Sequence, residues 1–261
     1  MSSDTSIKTP SGPSLELLSA VRGPLHIWEW PVPGVHYCAG VDSSQGVRGG
    51  DYAVIKVLRS DDLEEVCMWK GYIDPRELGR KAAWIGWLYN TAFLVVEANK
   101  DGQSVIWELK EMAYPNMYRT TTYDRIAGEQ VMSKTLGFNT TLKTRPWLWN
   151  HARLIVNHSW GRISSASQIA EMKQIRYDDK GIPVHPRTGH DDETIAWALA
   201  LVGRDQAFSR GEIEADVKPP TDFESRHWAQ FEEEVQASLE GRGMFDPDDG
   251  ENESDGSYRP L

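Results

Sequence analysis

Four carboxylates stand where the chain is predicted to leave a strand or to enter a helix. Asp42 and Glu97 each end an apolar run, and the pair Asp191 and Asp192 opens an apolar helical pattern. Strand ends of an open α/β sheet meet at one rim, which is where such sheets bind ligands. Grouped carboxylates raise one another's pKa values, and a divalent cation removes that penalty. Oxygen ligands suit Mg²⁺ or Mn²⁺, and two such ions about 4 Å apart can hydrolyse a phosphodiester.

Each of these carboxylates also has a simpler explanation. Asp42 could cap the turn that follows it, and Glu97 could be a turn residue. Asp191 or Asp192 could be only an N-cap that the helix dipole favours. The combination of two strand ends and one helix start favours a shared metal site over three separate structural roles.

The elements that must position these carboxylates follow from periodicity and from breaker residues. Lone strands that alternate with helices, after an opening three-strand meander, predict an α/β fold with a mixed sheet. Residues 120–143 are polar and contain two glycines, so we expect a loop or a hairpin there. Strands are predicted at 35–41, 52–58, 65–72, 92–97 and 116–119, and helices at 74–89, 102–112, 146–158, 164–172 and 190–202.

The formal net charge of −11 belongs to the C-terminal end of the chain. Residues 211–261 hold 15 acidic and 4 basic residues, whereas residues 1–210 hold 24 of each. An acidic protein is a poor partner for DNA, but a neutral body removes that objection. We expect a flexible leader over 1–24, a single domain over 25–210, and a largely disordered acidic tail over 211–261 that can form a short helix at 222–239.

Cysteine usage and hydropathy indicate a reducing, cytoplasmic environment. Cys38 and Cys67 lie inside apolar strand patterns, so we predict buried thiols rather than a disulfide or a zinc site. No apolar run approaches the roughly 18 residues of a membrane span, and the N-terminus lacks a signal-peptide pattern. We also expect Trp84, Trp87 and Trp107 to lie in the core.

Four spaced blocks carry a family resemblance, namely YCAGVDSSQG with GDYAV, VVEANKDG, GFNTTLKTRP and GHDDETIAWALA. In this order they resemble the C-terminal nuclease domain of the large terminase subunit of tailed double-stranded-DNA bacteriophages. The resemblance spans about residues 25–205 and implies an RNase H-like (RuvC-like) mixed sheet of about five strands flanked by helices. It implies a metal-dependent endonuclease that cleaves viral DNA concatemers during genome packaging in the host cytoplasm.

The resemblance also implies roles for the acidic residues. Asp42 would bridge two Mg²⁺ or Mn²⁺ ions, Glu97 would be the second ligand, and Asp191 or Asp192 would be the third. Which of the last two coordinates stays open. Asp51 matches a recurrent acidic position, where it could be an outer ligand or simply a turn residue.

DNA contacts are predicted around the third block. Hydroxyl and cationic side chains ahead of a helix N-terminus suit phosphate binding, although a solvated helix cap would look the same. His190 could orient an aspartate or approach a phosphate, or be a plain loop histidine. The candidate contacts are Thr140, Thr141, Lys143, Thr144, Arg145, Lys100 and His190.

A full large terminase also carries an ATPase motor. The sequence contains no Gly-x-x-x-x-Gly-Lys-Ser/Thr motif, so we expect no ATP hydrolysis from this chain, whether it is an excised domain or a separate subunit. The implied partners are double-stranded DNA, a terminase ATPase domain or small subunit, and the portal protein, which the acidic tail could contact. The alternatives are a Holliday-junction resolvase-like nuclease and a portal- and DNA-binding packaging module without activity.

Overall fold

The computed structural model describes residues 24–47, 50–99, 101–124, 129–179, 183–184 and 189–210. The side chains of residues 121–134 and 208–210 are outside that description. The predicted leader up to residue 23, the acidic tail with its predicted helix, and the candidate contact Lys100 also lie outside the described residues.

The strands are β1 (Leu25–Ile27), β2 (Tyr37–Asp42), β3 (Ala53–Arg59), β4 (Glu65–Gly71), β5 (Phe93–Val96), β6 (Arg119–Asp124), β7 (Glu129–Leu136), β8 (Arg176–Tyr177) and β9 (Pro183–Val184). Five of them form one mixed sheet in the order β1-β4-β3-β2-β5. The meander β2-β3-β4 is antiparallel, and β5 runs parallel to β2 on its other side. The predicted α/β mixed sheet of about five strands is confirmed.

The helices are α1 (Pro75–Leu88), α2 (Gly102–Glu111), α3 (Thr144–Asn157), α4 (Ala166–Gln174) and α5 (Asp192–Arg210). Asp74 caps α1 by accepting a hydrogen bond from the Arg76 amide, and Pro75 occupies the first helical position as predicted. Helix α5 continues to Arg210, beyond the predicted end at residue 202. The predicted hairpin between residues 120 and 143 is the antiparallel pair β6-β7.

Two apolar layers cover the sheet. Helices α1 and α2 pack on one face, and α5 with α3 packs on the other. Trp84 and Trp87 belong to the first layer, as predicted. The prediction for Trp107 is wrong, because this side chain is 45% exposed and lies under the guanidinium of Arg76, 4.3 Å from the ring centre.

Both cysteines are free, buried thiols, as predicted. Burial raises the pKa of Cys38 and of Cys67 to about 12, which makes both thiols inert at neutral pH. None of the helices in the described part of the chain combines the length and the apolar character needed to cross a bilayer.

Gly40 lets α5 lie directly on β2. A Cβ atom at this position would stand 1.9 Å from the carbonyl oxygen of Ala196 and 2.6 Å from the amide nitrogen of Ala200. Only glycine therefore permits this approach, which brings the first turn of α5 beside the end of β2. The distance between Asp42 and the acidic start of α5 depends on this contact.

We predict that Gly40→Ala destabilises the protein by about 1–3 kcal/mol, because the added methyl group meets backbone atoms that cannot rotate away. Urea unfolding measures the change. Gly50→Ala is the control, since the nearest atom to its added carbon, the oxygen of Val47, is 3.2 Å away. Equal stability of the two variants would contradict the proposed packing.

Candidate metal centre

Asp42 and Glu97 form a buried pair at one rim of the sheet. Strands β2 and β5 pair in parallel with Val41 opposite Val96, and the Glu97 amide donates to the Val41 carbonyl at 2.9 Å. Asp42 follows Val41 and Glu97 follows Val96, so the two carboxylates are neighbours; Asp42 is 8% exposed and Glu97 is 6% exposed. Burial, and then the charge and the hydrogen bond of Glu97, raise the pKa of Asp42 well above its usual range.

Gly102 allows α2 to begin directly against this pair. A Cβ atom there would lie 1.7 Å from the carbonyl oxygen of Glu97. The glycine in the second sequence block is thus required by close backbone approach. This contact explains why Glu97 and Gly102 occur close together in the second sequence block, VVEANKDG.

Asp192, the first residue of α5, is the next carboxylate at the rim. It accepts a hydrogen bond from the Tyr52 amide at 2.9 Å, and Nδ1 of His190 lies 3.5 Å from its Oδ2. Burial raises the pKa of Asp192 to about 6, with smaller contributions from the negative charges of Asp51 and Asp191. The charge of Asp192 in turn helps to raise the pKa of Asp42.

Asp51, His190 and Asp192 form the tightest group of ligand atoms. Within the described part of the chain, this is the one set of three or more potential metal ligands whose atoms all lie within 4.8 Å of one another. Asp51 is exposed, and its carboxylate lies 3.7 Å from Nδ1 of His190. The predicted centre around Asp42 and Glu97 therefore adjoins this group through Asp192.

Asp191 points to a different partner. Its carboxylate accepts a hydrogen bond from the guanidinium of Arg145, near the start of α3. Asp191 is 9% exposed. It lies close enough to Asp42 for its negative charge to raise the pKa of Asp42. The adjacent aspartates are thus held differently, Asp192 by a backbone amide and Asp191 by an arginine.

The predicted DNA-contact block is an ordered turn before α3. The Thr141 amide donates to Oγ1 of Thr144 at 2.7 Å, and Oγ1 of Thr144 donates to the Asn139 carbonyl at 2.7 Å. The Thr141 hydroxyl accepts from the Lys143 and Thr144 amides at 3.2 Å, so the hydroxyls of Thr141 and Thr144 shape the turn. Lys143 is exposed, and Thr140 is partly buried with a hydroxyl oxygen that has no hydrogen-bond partner.

A buried ion network lies behind the rim. Lys56 is fully buried, and its ammonium contacts Glu65 at 2.5 Å and Glu193 at 2.8 Å. Lys70 contacts Glu193 at 2.9 Å and Glu171 at 3.7 Å. Two cations thus hold three carboxylates beneath the first turn of α5. The lysines lower the pKa of Glu193 below its usual range despite its burial.

Hydroxyl and amide groups complete this network. Ser165 and Ser167 donate to the two oxygens of Glu193, each at 2.5 Å. The Thr194 amide and hydroxyl both donate to Glu171 at 3.1 Å. Because Glu193 follows Asp192 directly, the network fixes the backbone that carries the rim carboxylate.

Sequence reasoning missed Tyr52, Lys70 and the other residues of this network. Lys70 lies 4.6 Å from the ring centre of Tyr52, whose amide holds Asp192. The sequence did contain a signal for the network. Lys56 interrupts one apolar strand pattern and Glu65 starts another, and charged residues are rarely buried in such strands unless they are paired.

Solved structures share this architecture. The large terminase nuclease from thermophilic phage G20c with bound magnesium is 18% identical, with a TM-score of 0.54 over 72% of this chain and 95% of that chain. The chain has the fold of a large terminase nuclease. The same phage nuclease with bound cobalt gives 17% identity and a TM-score of 0.54, again over 72% and 95%. The nuclease domain of the Thermus phage P74-26 large terminase gives 18% and 0.50, over 71% and 92%.

The resemblance predicted from the four sequence blocks is thereby confirmed at the level of the fold. No protein-family model matches the sequence, and neither does any curated protein. At these identities the terminase nuclease fold is what the similarity establishes, so the roles of individual residues have to be argued from their contacts.

Removing the central cation of the buried network should destabilise the fold. Lys56→Met leaves Glu65 and Glu193 buried without their shared partner, and we expect a loss of about 3–5 kcal/mol. Lys110→Met removes an exposed lysine of α2 and should change the free energy of unfolding by less than about 0.5 kcal/mol. Urea unfolding compares the two. A Lys56→Met protein as stable as the control would show that the network contributes no stability.

Glu171 gives the network a pH dependence. Burial, and then the charge of Glu193, raise its pKa from 4.5 to about 7. The folded protein therefore keeps a proton that the unfolded chain loses near pH 4.5, so stability falls as pH rises from about 4.5 to 7. Glu171→Gln should remove this part of the slope and stabilise the protein by about 1–3 kcal/mol above pH 7.

Urea unfolding of the parent chain and of Glu171→Gln at pH 5, 6, 7 and 8 in EDTA tests this expectation. The exposed Glu111→Gln on α2 is the matched control and should leave the pH slope unchanged. Parallel curves for the parent chain and Glu171→Gln would refute the assignment.

Proposed function

We propose that this chain is a divalent-metal-dependent endodeoxyribonuclease that cleaves double-stranded viral DNA concatemers during genome packaging. The proposal is supported by the position of Asp42 and Glu97 at adjacent strand ends of a terminase nuclease fold, near enough to Asp192 for its charge to raise the pKa of Asp42. The G20c nuclease with this fold has been solved with bound magnesium and with bound cobalt.

The chemistry of the donor set fits divalent cations. Burial and the neighbouring Glu97 raise the pKa of Asp42 well above its usual range, so this pair of carboxyl groups is destabilised when both are charged. A divalent cation can relieve that repulsion and also neutralise Asp192. Oxygen donors favour Mg²⁺ or Mn²⁺, and His190 and Asp51 extend the set at its exposed side. We propose that two such ions bind here, and Asp42, Glu97 and Asp192 would hold them.

The two adjacent aspartates divide the work in this proposal. Asp192, fixed by the Tyr52 amide, is the metal ligand. Asp191 is engaged by Arg145 and acts as a positioning residue that aims this guanidinium at the rim. Arg145 can then bind a phosphate oxygen in a bidentate manner. The difference in their partners supports this choice between the two aspartates, which the sequence left open.

Bound divalent ions supply Lewis-acid polarisation of the phosphodiester and a water of lowered pKa. The residues of this chain hold the DNA and orient the carboxylates. Lys143 and the Thr140–Thr141 turn contact the DNA backbone ahead of α3. His190, between Asp51 and Asp192, orients the outer carboxylates. In-line attack would leave a 5′-phosphate and a 3′-hydroxyl.

The proposed partners follow from this role. Double-stranded DNA is the proposed substrate, and the contacts proposed for it are to phosphate. A terminase ATPase domain or small subunit would deliver the DNA, and the portal would receive it. Cleavage would take place in the host cytoplasm.

Plasmid cleavage tests the proposed activity. Supercoiled plasmid with the protein and Mn²⁺ or Mg²⁺ should be nicked and linearised, and EDTA should abolish the reaction. Asp42→Asn removes the carboxylate shared by both ions and should reduce the rate at least 100-fold. The exposed Glu111→Gln should cleave at the parent rate.

Absence of cleavage in every metal, or equal rates for Asp42→Asn and the parent chain, would contradict the nuclease. A four-way junction that is cut at least tenfold faster than linear duplex would instead favour a resolvase. DNA binding without cleavage would favour a packaging module.

A further inference from the structure

An apolar groove lies on the α3 side of the domain, away from the carboxylate rim. It encloses about 610 Å³ and is lined by side chains of α3, of the loops beside it and of α5. Trp147, Leu154 and Trp160 line it while remaining 50%, 50% and 58% exposed. Large apolar side chains that share an exposed concave patch mark an interaction surface. We refer to this patch as the α3 groove.

We propose that the α3 groove is the docking site of the chain's own segment 222–239. This inference is independent of the proposed nuclease activity. It rests on the position of the groove along the chain, on the spacing of apolar residues in the segment, and on the charges of the two surfaces.

The chain leaves the described structure next to the groove. Arg204 and Asp205 of α5 line the groove, and the described part of α5 ends at Arg210. At 1.5 Å per residue, the helix end lies about 9 Å from Arg204 along the axis. The twelve residues up to Asp222 can span about 40 Å when extended. The segment therefore reaches the groove without any movement of the domain.

Residues 222–239 carry an apolar stripe that matches the groove in character. Trp228, Phe231, Val235 and Leu239 are separated by three, four and four positions, which places them on one face of a helix. Aromatic side chains on such a stripe fit a groove walled by tryptophan and leucine. The next apolar residues, Met244 and Phe245, follow two glycines and lie beyond the stripe.

The charges of the two surfaces are complementary. Segment 222–239 contains five acidic residues and one arginine, whereas α3 contains no acidic residue and carries the exposed Arg153, Arg145 being held at the rim by Asp191. The two carboxylates at the groove already face cations, with Asp205 3.6 Å from Arg204 and Asp61 3.3 Å from Arg59. The acidic face of the segment can therefore lie along α3.

Cysteine cross-linking in the full chain tests this docking. Leu154→Cys combined with Phe231→Cys provides one thiol in the groove and one in the segment. The native thiols do not compete, because Cys38 and Cys67 are fully buried. We expect rapid disulfide formation within one molecule on mild oxidation, at least tenfold faster than in the controls.

Two controls define the contact. Leu154→Cys with Phe245→Cys moves the second thiol out of the stripe, and Glu111→Cys with Phe231→Cys moves the first to α2, on the opposite face of the sheet. Cross-linking at control rates would overturn the proposal. Covalent dimers in place of the internal bond would overturn it in favour of a second copy of the chain.

Hydrogen exchange provides a second readout without added thiols. Trp228→Ala with Phe231→Ala should speed amide exchange over residues 147–160 at least threefold, whereas Phe245→Ala should not. Unchanged exchange in the double variant would overturn the docking, even if the cysteine variants failed to fold.

Discussion

Crowding of negative charge at one rim of the sheet is the constraint on which the rest of the structure depends. Asp42, Glu97 and Asp192 are brought together because β5 pairs in parallel with β2 and because Gly40 admits α5 onto β2. Their burial costs free energy unless protons or cations neutralise them. Beneath them, Lys56 and Lys70 already neutralise the next layer of carboxylates. The rim is where we propose that an added cation binds.

Much of this arrangement could be predicted because it is local in the sequence. The ends of β2 and β5 are marked by apolar runs that stop at a carboxylate, and α1 is announced by Asp74 and Pro75. Parallel pairing of β2 with β5 then brings two strand ends together. The start of α2 is also marked locally, because Gly102 stands where the helix backbone lies against the Glu97 carbonyl.

The rest depended on contacts between distant parts of the chain. Arg145 contacts Asp191, 46 positions away, and no local pattern in the sequence predicts that pairing. The partners of Lys56 come from β4 and α5. The sequence could therefore show that this lysine is buried, but not which carboxylates pair with it. Trp107 was misplaced because helical periodicity does not distinguish a core face from an arginine-covered surface.

The most direct test of the account is the position of manganese in crystals of the full chain grown with Mn²⁺. Anomalous scattering locates the ion without reference to activity. We predict a peak within about 2.3 Å of oxygens from both Asp42 and Asp192, with Asp191 still bound to Arg145. Ions bound only by the exposed Asp51 and His190, or a peak on Asp191 with Arg145 displaced, would contradict it.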